Sequence, residues 1–410
     1  MSQANGSTVG IIGAGTMGAG IAQVASIGGW NVRLMDVDSA KCKSAIEEVG
    51  RRLNRLVEKE RLTREQADAA ADRIVIAHDP DQLESCELVI EAIIEDLSAK
   101  VKVLGDVTTA LSEHAIFATN TSSLSVTAIG EQIGRPTRTV GMHFFNPAPV
   151  LPLVEIIAGR QSDASVVDRV VEIARQWNKS PVRAADTPGF IVNRVARPFY
   201  LEAWRILADG LAGVDEIDRI LKQFGEFRMG PFELTDLIGQ DVNAATTASV
   251  WKQLGQSPRL KPSPIQEQLV EEGNLGRKTG RGAYIYEQDE PAPAIEVERR
   301  PFVAPDRLLE AVEQFIEKAG PNRGSDLEQY IFARVLIAII NEAAWAKAEG
   351  VASADDINTA MKLGTNYPKG PLEWARQIGH PRCTRLLDQL REQADDDRFV
   401  APDMLAASTT

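Results

Sequence analysis

His143 and Glu155 are spaced so that they could act together as a base and its supporting carboxylate. His143 ends the apolar run 140–143 (VGMH), and ligands bind at the carboxyl-terminal edge of a parallel sheet. Glu155 follows twelve residues later, within the run 153–157 (LVEII). Because a lone buried charge is costly, a carboxylate in such a run needs a partner, and an adjacent strand would bring His143 within its reach.

The His143–Glu155 pair suits proton transfer from an alcohol. A histidine whose second ring nitrogen donates to a carboxylate is held in one tautomer and becomes a better base. It could remove the hydroxyl proton while the alcohol carbon gives up a hydride. A structural pair in a protein core would look the same, so these two residues alone leave both interpretations open.

A glycine-rich turn near the amino terminus could bind the phosphates of a dinucleotide. The hexad 13–18 (GAGTMG) follows the strand-like run 9–12 and opens an amphipathic helix that extends to about Ile27. Its glycines permit a tight turn, close approach of the backbone to a pyrophosphate and close packing of helix on strand. The helix N-terminus then offers N–H donors and a partial positive charge.

Asp36 indicates which dinucleotide this turn binds. It ends the second strand-like run, about 20 residues beyond the glycines, where a carboxylate accepts hydrogen bonds from the adenosine ribose. A 2′-phosphate would be repelled there, and no arginine immediately follows. The sequence therefore predicts NAD rather than NADP as cofactor, and no metal.

Taken together, these residues resemble those of the 3-hydroxyacyl-CoA dehydrogenase family over about residues 8–286. The resemblance implies NAD-dependent oxidation of a (3S)-3-hydroxyacyl-CoA to the 3-oxoacyl-CoA, as in fatty acid β-oxidation. The segments that carry it are 13–18 (GAGTMG), 91–95 (EAIIE), 120–124 (NTSSL), 143–150 (HFFNPAPV), 186–194 (DTPGFIVNR) and 276–282 (GRKTGRG).

The resemblance also implies roles for single residues. His143 would be the general base, Glu155 its orienting carboxylate, and Ser122 and Asn193 the donors to the reacting oxygen. For Ser122 an alternative is the N-cap of a following helix, and for Lys100 and Lys278 it is a solvated surface charge. The predicted cofactor contacts are Gly13, Gly15, Thr16, Met17, Gly18, Asp36, Glu95, Lys100, Ser122 and Lys278.

A basic stretch after the second strand is the expected site for the phosphates of coenzyme A. Its expected contacts are Arg51, Arg55 and Lys59, with Arg52 and Arg61 nearby, although the same residues could form a solvated helix face. Two other functions stay open. One is a superfamily dehydrogenase of a small hydroxy or sugar acid, as in the crystallin-like branch, which would not need this stretch. The other is a non-catalytic binding protein that retains the fold.

The elements that must position these residues alternate between short β-branched runs and longer helical patterns up to about residue 184. The predicted strands are 8–12, 32–35, 74–77, 88–91, 116–119, 139–143 and 154–157. They predict an α/β, Rossmann-like, dinucleotide-binding domain over 1–186, followed by two all-α domains. We place the first helical block at 187–286, a linker at 287–325, rich in proline and charge up to Pro305, and the second helical block at 326–410.

The two helical blocks look like copies related by a shift of 140 residues. The shift aligns Gly230-Pro231-x-Glu233 with Gly370-Pro371-x-Glu373 without a gap. It aligns Asn193 with Ala333, so the second block lacks the amide expected to contact substrate. We interpret it as a silent copy that takes the place of a second subunit's helical domain. It resembles the tandem C-terminal domains of longer bacterial members, of the 3-hydroxybutyryl-CoA and 3-hydroxyadipyl-CoA type. An internal pseudo-dimer is therefore expected, and a homodimer remains possible.

The composition of the chain excludes some classes of binding partner. The net charge of −13 argues against nucleic acid or an anionic membrane surface, because the mean field repels polyanions. No leader, transit peptide or membrane span is recognisable in the sequence, and the three cysteines are far apart, so a cytoplasmic protein with reduced thiols is expected. The expected partner is the acyl-CoA substrate.

Overall fold

The computed structural model describes residues 7–286, 290–320, 323–394 and 396–406. The chain divides into two compact units, residues 1–190 and 191–410. The first unit carries the sheet and the second is built almost entirely of helices, which confirms the predicted α/β domain followed by helical domains.

The first unit contains one eight-stranded sheet in the order β3-β2-β1-β4-β5-β6-β7-β8. All neighbouring strands are parallel except β6 and β7, which are antiparallel. The central strands are buried along their whole length, as expected where helices cover both faces. The strands are β1 Thr8–Ile12, β2 Asn31–Met35, β3 Ile74–Ile76, β4 Leu88–Glu91, β5 Ile116–Thr119, β6 Thr139–Phe144, β7 Leu153–Ala158 and β8 Ser180–Ala185.

Six helices connect these strands, and two hydrophobic clusters fill the space between helices and sheet. On one side, Trp30 and Trp177 meet edge to face at 5.6 Å within the larger cluster. The helices are α1 Thr16–Ile27, α2 Ser39–Glu58, α3 Arg64–Asp72, α4 Leu97–Thr108, α5 Val126–Gln132 and α6 Ala164–Gln176.

The seven predicted strands are all present, within a residue or two of their predicted ends. The eighth strand, β8, was not predicted. It is an edge strand next to β7, and it contains Pro181 and an exposed Arg183 in place of a β-branched run.

The second unit contains helices from both predicted helical blocks and a small antiparallel pair of strands, β9 Tyr284–Ile285 and β10 Ala292–Pro293. The helices are α7 Val192–Val195, α8 Arg197–Ala208, α9 Val214–Gly225, α10 Pro231–Ile238, α11 Gln240–Gln253, α12 Pro264–Glu271, α13 Asp306–Ala319, α14 Asp326–Ala348, α15 Ala354–Thr365, α16 Pro371–Ile378, α17 His380–Ala394 and α18 Asp403–Ala406.

Helices of the two blocks repeat with the expected shift of 140 residues. Helix α15 starts and ends 140 residues after α9, and α16 does so after α10. The hydrogen bonds repeat as well: Asp218 accepts from the backbone of Phe232, and Asn358 accepts from that of Leu372. The repeat is therefore one of tertiary structure and not only of apolar spacing.

Two reciprocal ion-pair clusters join the blocks inside the second unit. Arg194 of the first block pairs with Glu342 and Glu349 of the second, at 2.7 and 2.6 Å. Arg334 of the second block, the equivalent of Arg194, pairs with Glu202 and Asp209 of the first block, both at 2.9 Å. These two carboxylates are the equivalents of Glu342 and Glu349. An exchange of equivalent partners is the pattern of a two-fold interface.

The predicted linker, 287–325, is only partly irregular, and this corrects the sequence-based boundary. Residues 306–319 form α13, which buries Leu308, Phe315 and Ile316. Residues 292–293 form β10, and part of the linker lies outside the described residues. None of the described helices is both long and apolar enough to cross a bilayer.

Glu202 provides a test of the reciprocal clusters. Burial raises its pKa, but the charges of Arg205, Arg334 and Arg398 outweigh burial and lower the pKa to about 2. Because the folded pKa lies below the ordinary value of about 4.5, the stability that this carboxylate contributes is complete above that pH and is lost as the pH falls towards 2. We expect Glu202→Gln to lower the free energy of unfolding at pH 7 by roughly 3 kcal/mol and to weaken its pH dependence between pH 5 and 2.

Denaturant titrations at pH 7 and pH 3 measure both effects. The control is Glu317→Gln, which removes an exposed carboxylate paired with Lys318 and should change stability by less than about 0.5 kcal/mol. Equal losses in the two variants would contradict a structural role for the buried cluster.

Candidate active site

The antiparallel pairing of β6 with β7 places His143 directly opposite Glu155. Nδ1 of His143 and Oε2 of Glu155 are 2.7 Å apart. Both side chains are buried, with 6% and 0% of their surfaces exposed. The carboxylate is therefore not left as a lone buried charge, and the ring is fixed with Nε2 as its remaining nitrogen.

Aromatic rings and one amide hold the end of β6 in place. The ring of His143 lies 4.4 Å from the ring of Phe145 and 5.9 Å from that of Phe190. Asn120, at the end of the neighbouring strand β5, accepts a hydrogen bond from the backbone of Phe144 at 2.8 Å. Asn120 lies in one of the recognised segments, but no role was assigned to it from the sequence.

The glycine turn has the geometry that a pyrophosphate requires. Gly13 has a φ of 105°, and a Cβ there would lie 2.5 Å from the carbonyl oxygen of Ala92. A Cβ at Gly18 would lie 1.8 Å from the carbonyl oxygen of Gly13, so the start of α1 packs directly on the turn. A Cβ at Gly15 would meet nothing within 4 Å. The turn, the open approach and the close packing thus fall on three different glycines.

Asp36 is tied to this turn. One carboxylate oxygen accepts from the backbone N–H of Ala14 at 2.8 Å, and the other accepts from Asp38 at 3.0 Å. The carboxylate therefore stands beside the turn at the end of β2, where ribose hydroxyls of a dinucleotide bind in such folds.

Glu95 organises the turn that carries Ser122. Its Oε1 accepts from the hydroxyl of Thr121 and from the backbone N–H and hydroxyl groups of Ser122 and Ser123, at 2.6 to 3.3 Å. Burial raises the pKa of Glu95, but the hydrogen bond from Thr121 and the charge of Lys100 lower it below its ordinary value. Ser122 is not a helix N-cap, because α5 begins later and its cap is Ser125.

Lys100 is not a solvated surface charge. Its side chain is 1% exposed and its ammonium group pairs with Glu91 at 2.7 Å and with Glu95 at 3.2 Å. Glu91 also accepts from the hydroxyl of Thr119. The ion pair with Lys100 thus helps to hold the carboxylate of Glu95 in position. Glu91 was missed from the sequence, although it ends a buried strand and so carried the same signal that pointed to Glu155.

The other two predicted site residues lie in the helical unit. Asn193 is in α7, and Lys278 follows α12 in a short 3₁₀ turn. The ammonium group of Lys278 is half exposed and pairs with both oxygens of Asp241, at 2.6 and 2.7 Å.

The basic stretch borders a cavity of about 570 Å³ in the first unit. Arg52, Arg55 and Arg61 line this cavity, whereas Arg51 and Lys59 do not. Arg51 pairs with Glu48 at 2.8 Å, and the cavity-lining Arg52 pairs with the same carboxylate at 2.9 Å. Of the three predicted contacts, only Arg55 faces this cavity, since residues 52, 55 and 56 share one face of α2.

Lys179 contributes a further positive charge to this cavity. It is 9% exposed and donates to the carbonyl oxygens of Ala148 and Leu151, at 2.5 and 2.8 Å. Burial lowers its pKa to about 8. No sequence pattern pointed to Lys179, because the chain turn that it contacts is distant in sequence.

Family models match nearly the whole chain. The NAD-binding domain of 3-hydroxyacyl-CoA dehydrogenase matches residues 8–187, and its C-terminal domain matches 189–286 and again 330–408. The chain belongs to the 3-hydroxyacyl-CoA dehydrogenase family. Because the match includes the NAD-binding domain of this family, NAD is its cofactor.

Individual relatives agree with this assignment. The chain is 38% identical to a 3-hydroxyadipyl-CoA dehydrogenase of Escherichia coli K12, over 96% of both chains. It is 39% identical to a 3-hydroxybutyryl-CoA dehydrogenase of Bradyrhizobium diazoefficiens, over 70% of this chain and 97% of the relative. A crystal structure of 3-hydroxybutyryl-CoA dehydrogenase from E. coli K12 superimposes with a TM-score of 0.87 at 36% identity, covering 98% of each chain. Relatives therefore exist both with and without the second helical block.

Gly15 and Gly18 form a matched pair for testing the glycine turn. Gly15→Ala adds a Cβ in open space, at a residue whose φ of −72° suits alanine. It should leave the melting temperature unchanged but weaken NADH binding by about tenfold, since the methyl group takes the place of the approaching pyrophosphate. Gly18→Ala forces a clash within the turn and should cost roughly 1–3 kcal/mol of stability.

Thermal unfolding without ligand and fluorescence titration with NADH separate the two effects. If Gly15→Ala bound NADH like the unaltered protein, the phosphates would not approach at Gly15.

Proposed function

We propose that this 3-hydroxyacyl-CoA dehydrogenase uses His143 as its general base and Glu155 as the carboxylate that orients it. The proposal is carried by one observation, the buried 2.7 Å contact between Nδ1 of His143 and Glu155. With Nδ1 donating to the carboxylate, Nε2 is left as the proton acceptor. The reaction is the oxidation of a (3S)-3-hydroxyacyl-CoA to the 3-oxoacyl-CoA.

In this mechanism, Nε2 of His143 takes the proton of the 3-hydroxyl group, and Glu155 stabilises the imidazolium that forms. NAD, when bound, accepts the hydride from carbon 3. The rings of Phe145 and Phe190 shield the histidine from water. The low exposure of the pair supports this arrangement, because electrostatic interactions are stronger away from water.

Two neutral donors are assigned to the reacting oxygen. The hydroxyl of Ser122 is held on the turn that Glu95 organises, at the end of the strand next to β6. Asn193 is assigned the same oxygen from the helical unit, by resemblance to the family. Neutral donors of this kind favour the negative charge that develops on the oxygen as the carbonyl group forms.

The cofactor contacts proposed for the first unit are supported to different degrees by its geometry. The open side of Gly15, the start of α1 at Thr16 and Met17, and the position of Asp36 all suit a dinucleotide. Glu95 and Ser122 are proposed to contact its nicotinamide end, and Lys100, which pairs with Glu95, is proposed to act through that carboxylate. Lys278 is kept as a proposed contact from the helical unit.

The phosphates of coenzyme A are proposed to bind at the basic cavity. Arg52, Arg55 and Arg61 line it, and Lys179 adds a charge whose described partners are carbonyl oxygens. In a chain with a net charge of −13, this local excess of positive charge is what an anionic ligand needs.

His143 variants test the proposed base. His143→Ala should lower kcat for 3-hydroxybutyryl-CoA by about 10² to 10⁴ while the Kd for NADH stays near that of the unaltered enzyme. Glu155→Gln should lower kcat by less, because the base remains. NADH formation and NADH titration measure the two quantities, and His114→Ala, at an exposed histidine, is the control. Loss of NADH affinity with turnover intact would show that the roles are misassigned.

We further propose that the second helical block is catalytically silent and replaces the helical domain of a second subunit. The reciprocal pairs of Arg194 with Glu342 and of Arg334 with Glu202 support this, as does Ala333 at the position equivalent to Asn193. The full chain is then an internal pseudo-dimer. A homodimer of full chains would have to use a different surface.

Truncation after Tyr286 tests whether the second helical block replaces the helical domain of a second subunit. It would leave Arg194 and Glu202 without their partners in the second block and uncover the apolar residues of α8. We expect the truncated chain to dimerise or to aggregate, because buried charges that lose their partners cost several kcal/mol. Sedimentation of both chains measures this. A stable monomeric truncation would defeat the idea.

A further inference from the structure

A cavity of about 280 Å³ lies within the helical unit, and both helical blocks contribute to it. Its wall is largely apolar, with Phe199, Phe227, Leu234 and Leu237 from the first block. The second block adds the ring of Tyr367, which lies 5.7 Å from the ring of Phe199 and 5.0 Å from that of Phe227. The second block lacks the amide proposed to contact substrate, but its Tyr367 completes the wall of this cavity.

The charge at this cavity is positive. Arg228 lines it and is exposed, and within the described chain no hydrogen bond or ion pair engages its guanidinium group. Arg197 is 4% exposed and its guanidinium group lies 4.9 Å from the centre of the Tyr200 ring; among the described residues it donates hydrogen bonds to neutral oxygens of Asn243 and Thr247. Burial raises the pKa of Tyr367 well above its ordinary value, and the nearby charge of Arg197 opposes that rise. None of the residues described as lining the cavity is acidic.

The two blocks have different residues at the positions that determine the volume and the charge of this cavity. The 140-residue shift aligns Leu234 with Trp374 and Arg228 with Pro368. The larger Trp374 ring packs on Phe227 at 5.7 Å. The first block therefore has a leucine and an arginine where the second block has a tryptophan and a proline, and the cation of the second block, Lys369, is aligned with Met229 and contacts Gln377.

We propose that this cavity binds the distal end of the acyl chain and that Arg228 pairs with a carboxylate at that end. The preferred substrates are then 3-hydroxyacyl-CoA thioesters of dicarboxylic acids. This inference rests on the proposed function, in which Asn193 contacts the reacting oxygen. Asn193 lies in α7 and Phe199 follows six residues later, in the first turn of α8. In this proposal, an acyl tail that runs along the start of α8 reaches the apolar wall first and the arginine at its mouth.

The test compares substrates of equal length that differ only at the distal end. 3-Hydroxyadipyl-CoA is compared with 3-hydroxyhexanoyl-CoA, and the eight-carbon dicarboxylic thioester with 3-hydroxyoctanoyl-CoA. We expect the unaltered enzyme to prefer the carboxylate of each pair by about tenfold in kcat/KM, the usual worth of a charge-assisted hydrogen bond. Arg228→Gln should abolish the preference, mainly through KM, since the contact is distant from the reacting carbon.

Two further variants sharpen the test. Lys252→Gln removes an exposed positive charge from α11 of the same unit and should leave the ratio unchanged. Leu234→Trp copies the side chain found at the equivalent position 374 and should raise KM for both eight-carbon substrates by filling the cavity.

The possible failures can be told apart. If the unaltered enzyme oxidises 3-hydroxybutyryl-CoA but Arg228→Gln leaves the carboxylate-to-methyl ratio unchanged, this inference is overturned. A preference of the unaltered enzyme for the methyl-ended thioesters would overturn it as well. If no 3-hydroxyacyl-CoA is oxidised at all, the proposed function itself is wrong.

Discussion

The hydrogen bond between His143 and Glu155 is the interaction on which the proposed catalytic arrangement depends. The carboxylate of Glu155 has no exposed surface, and the imidazole of His143 faces it and offsets part of the cost of burying its charge. Their contact requires β7 to run antiparallel to β6 in a sheet whose other strands are parallel. Asn120 then fixes the end of β6 by accepting from the backbone of Phe144. The reversed direction of β7 thus brings Glu155 opposite the proposed base, which lies near the carboxyl end of β6.

A second set of buried charges organises the neighbouring strands. Glu91 and Lys100 form a buried pair beneath Glu95, and Glu95 holds the turn that carries Ser122. These groups lie at the ends of β4 and β5, between the glycine turn after β1 and the histidine on β6. The proposed cofactor and substrate groups of the first unit therefore share one sheet edge, and buried charge pairs help to hold them there.

In the helical unit, the two blocks have equivalent residues at positions where they pack on each other. They have different residues at positions where a substrate contact is proposed. Arg194 and Arg334 make equivalent buried contacts with the opposite block. By contrast, Asn193 is aligned with Ala333. Arg194 and Asn193 are adjacent in α7, so the residue that pairs with the opposite block and the residue proposed to contact substrate are neighbours in one short helix.

The sequence by itself determined the types of elements and the chemistry that they carry, because strand runs, a glycine turn and a 140-residue repeat are local or periodic signals. It predicted seven strands and missed the edge strand β8, because β8 contains a proline and an arginine in place of a β-branched run. It named the basic stretch, but only the tertiary structure decided that Arg52 and Arg55 face the cavity while Arg51 pairs with Glu48. Which face of a helix is covered, and which buried charges meet, depends on neighbours distant in the chain, and no local pattern contains that information.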